Sequence, residues 1–134
     1  MIFSKIESMS GTFFINSISA IVICIILTSC SSGHDLRGKA SWYGKDWHGR
    51  VTASGEIYDM NSMTAAHKTL PLGAKVLVRD LTTGKTVKVR INNRGPYVKG
   101  RIIDLSRGAA EKLGILDKGI TDVEIVILEF PKKE

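Results

Sequence analysis

The chain has 134 residues, 24% of them charged, and a formal net charge of +6. That is one small domain plus whatever its N-terminus does, because a hydrophobic core of this size rarely divides in two. Two cysteines cannot make a disulfide-rich scaffold or a Cys-based zinc site, and the scattered lysines give no concentrated nucleic-acid footprint.

The N-terminus differs in character from the rest. Met1 to Leu27 carries only Lys5 and Glu7 as side-chain charges and ends in the apolar run Ala20–Leu27. This is the pattern of an export signal: a weakly positive start, an apolar middle and small residues at the end. A retained transmembrane helix is the alternative. The stretch from Thr12 to Leu27 is about 16 residues and is broken by Asn16, Ser17 and Ser19, whereas a bilayer needs roughly 20. The segment closes on Leu27-Thr28-Ser29-Cys30, which resembles a bacterial lipobox. Residues 1–29 are therefore expected to be a lipoprotein signal peptide, Cys30 the lipidated residue and residues 30–37 a soft tether. Two or three acyl chains would hold the protein firmly at a membrane. Cys24 leaves with the signal, so the mature domain has neither disulfide nor free thiol.

One domain is expected from residue 38 to residue 130, followed by a tail, 131–134. Lys39–Tyr43 reads as a first strand ending at Gly44, and Lys45–Glu56 as a loop. Lys75–Leu81 and Lys85–Asn92 read as a hairpin around Thr82-Thr83-Gly84, with Val87, Val89 and Ile91 alternating. Asn92-Asn93-Arg94-Gly95-Pro96 is a strong turn signal. Arg101–Leu105 is a short strand, and Ser106 caps a helix that runs through Leu113 to Gly114. Val123–Phe130 is the last strand. Many short strands with one small helix suggest a closed barrel.

The mature domain offers few groups for chemistry. His48 and His67 are its only histidines beyond the linker's His34, and no His-x-x-x-His pair is present. Thr52-Ala53-Ser54-Gly55-Glu56 lacks the leading glycine of a nucleophile elbow. No metal and no cofactor are expected. What remains is carboxylates near turns, the equipment of glycosidic bond cleavage.

The motifs ASWYG, HGRVTASGE, TAAHKTLPLG, VRINNRGPY and RIIDLS, between Ala40 and Ser106, make the chain resemble the rare lipoprotein A (RlpA) family. The resemblance spans about 93 residues, Gly38 to Phe130. It implies a mainly β fold, a six-stranded double-psi β-barrel with one short helix, shared with expansins. It also implies a lytic transglycosylase: a general acid protonates the glycosidic oxygen between N-acetylmuramic acid and N-acetylglucosamine, and the muramic acid's own C6 hydroxyl closes a 1,6-anhydro ring. The favoured substrate would be peptidoglycan strands stripped of peptide stems. A monomer, lipid-anchored at the periplasmic face of the outer membrane (or at the cell membrane where no outer membrane exists), is the expected form, with no nucleic-acid partner.

Carried over by residue, the family's catalytic pattern falls on Glu56, His67 and position 93, with Asp104 as a further acid in the groove. Position 93 is Asn here, and a carboxamide cannot donate and recover a proton at neutral pH. If that turn acid is essential, the chain is a weak enzyme or a non-catalytic, expansin-like glycan binder; if Glu56 or Asp104 does the work, the change is tolerated. A scaffolding lipoprotein using its basic surface is a third reading. Each residue also has a structural reading: Glu56 as a surface acid, His67 as a loop pin, Asp104 as a hydrogen-bonding group, Asn93 as a turn former. Arg94 either clamps a substrate carboxylate or pairs with Asp104, the pair being preferred. Trp42 reads as core, whereas Tyr43 and Trp47 read as sugar contacts.

Overall fold

Val87, Val89 and Ile91 alternate with polar neighbours, and Val76 and Val78 alternate with Lys75, the partly exposed Leu77 and Arg79; this two-residue period sends one face of each segment inward. In the computed structural model, which describes residues 36–134, these segments are strands β3 (Lys75–Asp80) and β4 (Thr86–Asn93). They pair antiparallel with Val76 opposite Val89 and Val78 opposite Val87. The buried Asp80 carboxylate closes their turn, with Oδ1 accepting from Thr82 N at 2.7 Å and Thr83 N at 3.3 Å. Such a side-chain mimic of a backbone turn is a common use of Asp.

The remaining strands are β1 (Arg37–Tyr43), β2 (Thr64–His67), β5 (Arg101–Ser106) and β6 (Thr121–Glu129). Their order is β1-β5-β2-β4-β3-β6, and β6 returns to β1 to close the barrel. Two pairs are parallel, β1 with β5 and β2 with β4, and these interleaved crossovers give the double-psi topology. The expected six-stranded barrel with one helix is the observed fold. Its interior is filled by Val76, Val78, Val87, Ile91, Ile103, Leu105, Val123 and Ile125. Trp42 packs against this core from β1, as expected.

The helix α1 (Arg107–Leu113) follows β5 directly and buries Ala109, Ala110 and Leu113. Ser106 is its N-cap: Oγ accepts from Ala109 N at 3.2 Å and donates to Ser62 O at 2.5 Å. Gly114, at φ 82°, ends the helix in the left-handed region that glycine adopts without strain. Gly108 serves a different purpose, since a Cβ there would stand 2.6 Å from Asn61 O. The absent side chain lets the 59–62 loop press against the helix.

Strand ends differ from expectation by one or two residues, with β1 starting at Arg37 and β6 at Thr121. Two elements were not expected: β2, and a 3₁₀ turn at Lys45–Trp47 inside the first loop. Residues 1–35, and with them the signal segment, Cys30 and most of the tether, lie outside the described residues.

Replacing Ser106 by Ala removes both the cap and the tie to Ser62. Urea denaturation should show a loss of about 1–2 kcal/mol; an unchanged midpoint and slope would mean the cap contributes nothing.

Candidate active site

Four neighbouring strands present one residue each at the same level of the barrel wall. On β5, Asp104 pairs with Ser41 of β1 on one side and with Ala66 of β2 on the other; Ala66 in turn pairs with Asn93 of β4. All four line a groove of about 540 Å³. The row therefore reads Ser41, Asp104, Ala66, Asn93, with a small residue on each side of the carboxyl. Strands lie about 4.8 Å apart, so Asp104 and Asn93 spring from backbone roughly 10 Å apart.

Asp104 is the buried acid of this floor. Its side chain is only 15% exposed, and Oδ2 accepts from Arg101 Nη2 at 2.8 Å. Its other oxygen, Oδ1, is buried without a hydrogen-bond partner. Burial pushes the carboxyl above its ordinary value of 3.8, and the opposing pull of Arg101 is not enough to reverse it. Arg94 is not the partner that the sequence suggested. Its Nη1 donates to His67 O at 3.1 Å and Leu70 O at 2.6 Å. The reason is topological: β2 stands between β5, which carries Asp104, and β4, whose end leads into Arg94, so Arg94 reaches the end of β2, while Arg101 is already on β5 with Asp104.

Glu56 sits in a different environment. A bidentate fork from Arg90 holds it, Nη1 to Oε1 at 2.6 Å and Nη2 to Oε2 at 3.0 Å. This fork, aided by Asn92 and Ser54 against a smaller effect of burial, pulls the carboxyl from 4.5 down to about 2. Glu56 is an ionised structural partner at neutral pH and does not line the groove. His67 is also buried outside the groove lining, and its Nδ1 accepts from Thr69 N at 3.1 Å and Leu70 N at 3.0 Å. Accepting at Nδ1 places the ring proton on Nε2.

Asn93 lines the groove and also acts as a latch. Its Oδ1 accepts from Ala53 N at 3.0 Å and Arg94 N at 2.9 Å, while Asn92 O accepts from Ser54 N at 3.1 Å. The Ser54-Gly55-Glu56 turn is thereby tied to the end of β4. Tyr43 lines the groove with its ring packed on Tyr58, centroids 4.6 Å apart. Burial, above all, pushes its phenol well up, so it stays neutral. Trp47 is half exposed on the groove wall. Among the described residues, no group of His, Cys, Asp and Glu side chains could hold a metal ion.

Several groups that matter were not singled out from the sequence. Tyr58 is 2% exposed and donates to Tyr43 O at 2.8 Å, anchoring the loop beneath the groove. Arg90 holds Glu56 ionised, and Arg101 is the ion-pair partner of Asp104. The one signal for Tyr58 was an aromatic residue standing alone in a glycine-punctuated loop.

The described residues thus form a double-psi barrel whose groove carries a largely buried acid, Asp104, and an aromatic wall. Residues 35–125 match the family described as lytic transglycolase. The chain belongs to that family, and its barrel is RlpA-like. It is 55% identical over 95 residues to the endolytic peptidoglycan transglycosylase RlpA of Vibrio cholerae, covering 71% of this chain and 36% of the relative. The RlpA of Neisseria meningitidis is 54% identical over 88 residues, or 66% of this chain and 37% of that one. The chain thus spans about a third of the length of these curated relatives. Among solved structures, an expansin from Clavibacter michiganensis superposes with a TM-score of 0.56 at 22% identity, over 73% of this chain and 52% of that one, a likeness of fold.

The Glu56 fork has a pH signature. Its depressed value means that its stabilisation is fully present above about 4.5 and is lost as pH falls toward about 2. Both partners are more than a third exposed, so Glu56→Gln should cost only about 1 kcal/mol at pH 7. Urea titrations at pH 7 and at acid pH should show that gap closing; a gap independent of pH would refute the assignment.

Proposed function

We propose that this chain is a peptidoglycan lytic transglycosylase in which Asp104 carries the proton. The observation that supports this is the environment of Asp104: the groove carboxyl whose burial favours the protonated form, flanked by Ser41 and Ala66, which leave room for a sugar ring to approach. Glu56, held ionised by Arg90, is unsuited to donating a proton.

Asp104 donates its proton to the glycosidic oxygen as the bond from that oxygen to C1 of N-acetylmuramic acid breaks. The C6 hydroxyl of the same sugar forms a new bond to C1 and gives its proton to the Asp104 carboxylate. The products are a free 4-hydroxyl on the leaving sugar and a 1,6-anhydro end, with no water consumed. One group serves as acid and then as base. Arg101 stabilises the carboxylate between the two transfers, and the proton taken from the C6 hydroxyl leaves Asp104 as it began. Asn93 does not transfer a proton; its carboxamide holds the 52–56 turn against the groove.

A second reading, a glycan binder without catalysis, is favoured by the carboxamide at position 93. Both are tested by incubating the purified full-length chain with peptide-free glycan strands and seeking anhydro-muramic ends by mass spectrometry. Wild type should produce them, Asp104→Asn should lower the rate at least 100-fold, and activity should decline as rising pH deprotonates Asp104. Ends formed only after Asn93→Asp would establish the binding reading instead.

The lipobox-like Leu27–Cys30 supports a lipid anchor on Cys30, which would hold the barrel at the periplasmic face of the outer membrane, or at the cell membrane where no outer membrane exists; a monomer acting on glycan strands is the form proposed. Cys30→Ala should move the protein from the membrane to the soluble fraction of fractionated cells. Retention at wild-type levels would favour a transmembrane helix.

A further inference from the structure

The groove holds more positive charge than its catalytic acid needs. Three arginines line it, Arg50, Arg94 and Arg101, against two carboxyls, Asp46 and Asp104. Arg101 is paired with Asp104, and Arg94 is held by backbone carbonyls. Among the described residues, no carboxylate forms an ion pair with Arg50, although it is exposed on the groove wall.

Arg50 is nevertheless held in place. Its guanidinium carbon lies 5.1 Å from the centroid of the Trp47 ring. The backbone fixes both residues: Arg50 N donates to Trp47 O at 3.1 Å, and Tyr58 N donates to Arg50 O at 2.7 Å. Buried Tyr58 thus ties the loop carrying Arg50 to the barrel. Stacking occupies the flat face of a guanidinium and leaves its edge N–H groups as a planar fork, the geometry that matches a carboxylate. The second face of the half-exposed indole suits the apolar face of a pyranose.

We propose that Arg50, seated on Trp47, forms a carboxylate-binding subsite that makes the groove prefer acidic over neutral N-acetylated glycans. This rests on the transglycosylase reading of the same groove. In peptidoglycan the carboxylate borne on the sugar itself is the lactyl group of muramic acid, ionised only where no peptide is attached. Arg50 is then a specificity residue, distinct from the acid, and it reads the absence of a peptide stem as a charge.

The test is a fluorescence titration of the full-length chain, using Trp emission, with three probes: peptide-free glycan strands, the same strands with their carboxylates converted to primary amides, and chitohexaose. Wild type should bind the native strands about tenfold more tightly than the amidated ones, the preference expected of one charge-assisted fork. Arg50→Gln should reduce that ratio to within twofold of one and weaken native-strand binding more than chitohexaose binding; Arg50→Lys, which retains a point charge, should keep part of the preference. Equal binding of native and amidated strands by wild type, or the same tenfold preference in all three proteins, overturns the proposal. Cleavage is scored separately. Preferential binding without anhydro ends would defeat the transglycosylase reading and leave the subsite standing, whereas anhydro ends without any preference would do the reverse.

Discussion

The four residues of β2 are the constraint on which the groove depends. Ala66 pairs with Asp104 on one side and Asn93 on the other, so a single short strand sets the level and separation of both groups. It also keeps Arg94 away from Asp104 and leaves that role to Arg101. Because the barrel is closed, β2 cannot shift register without breaking two ladders at once. The side chain at position 66 must also stay small, or it would fill the space between the acid and the carboxamide.

Elements whose cause is local were legible in the sequence. The β3–β4 hairpin announces itself through alternating valines and a turn, and α1 through a serine cap and a closing glycine. The strand β2 gave no such signal. All four of its residues are buried, so there is no alternation to detect, and Ala-Ala has little strand preference of its own. Its strand geometry comes from its two neighbours. Protonation was hidden for a similar reason: Glu56 and Arg90 lie 34 positions apart, and nothing near Glu56 in the chain reveals the fork. The family resemblance placed Glu56, His67, Asn93 and Asp104 in one pattern, but only folding showed that they divide.

The division is one of labour. His67 and Glu56 act on the frame, one fixing the 67–70 turn and the other tying the 54–56 turn to β4. Asp104 and Arg101 face the groove, with Tyr43 and Trp47 along its wall. The charge on each carboxyl follows from its surroundings: a bidentate guanidinium in one case, burial in the other. The two carboxyls are therefore shifted in opposite directions from their ordinary values.

The two backbone N–H groups that meet Asn93 Oδ1 would be met equally well by one oxygen of a carboxylate. These two backbone contacts therefore do not by themselves distinguish the two groups at position 93. Asparagine and aspartate codons differ by a single base, so one nucleotide change exchanges them. Residue 93 is consequently a point at which a lineage can gain or lose a carboxyl across Ala66 from Asp104 in one mutational step.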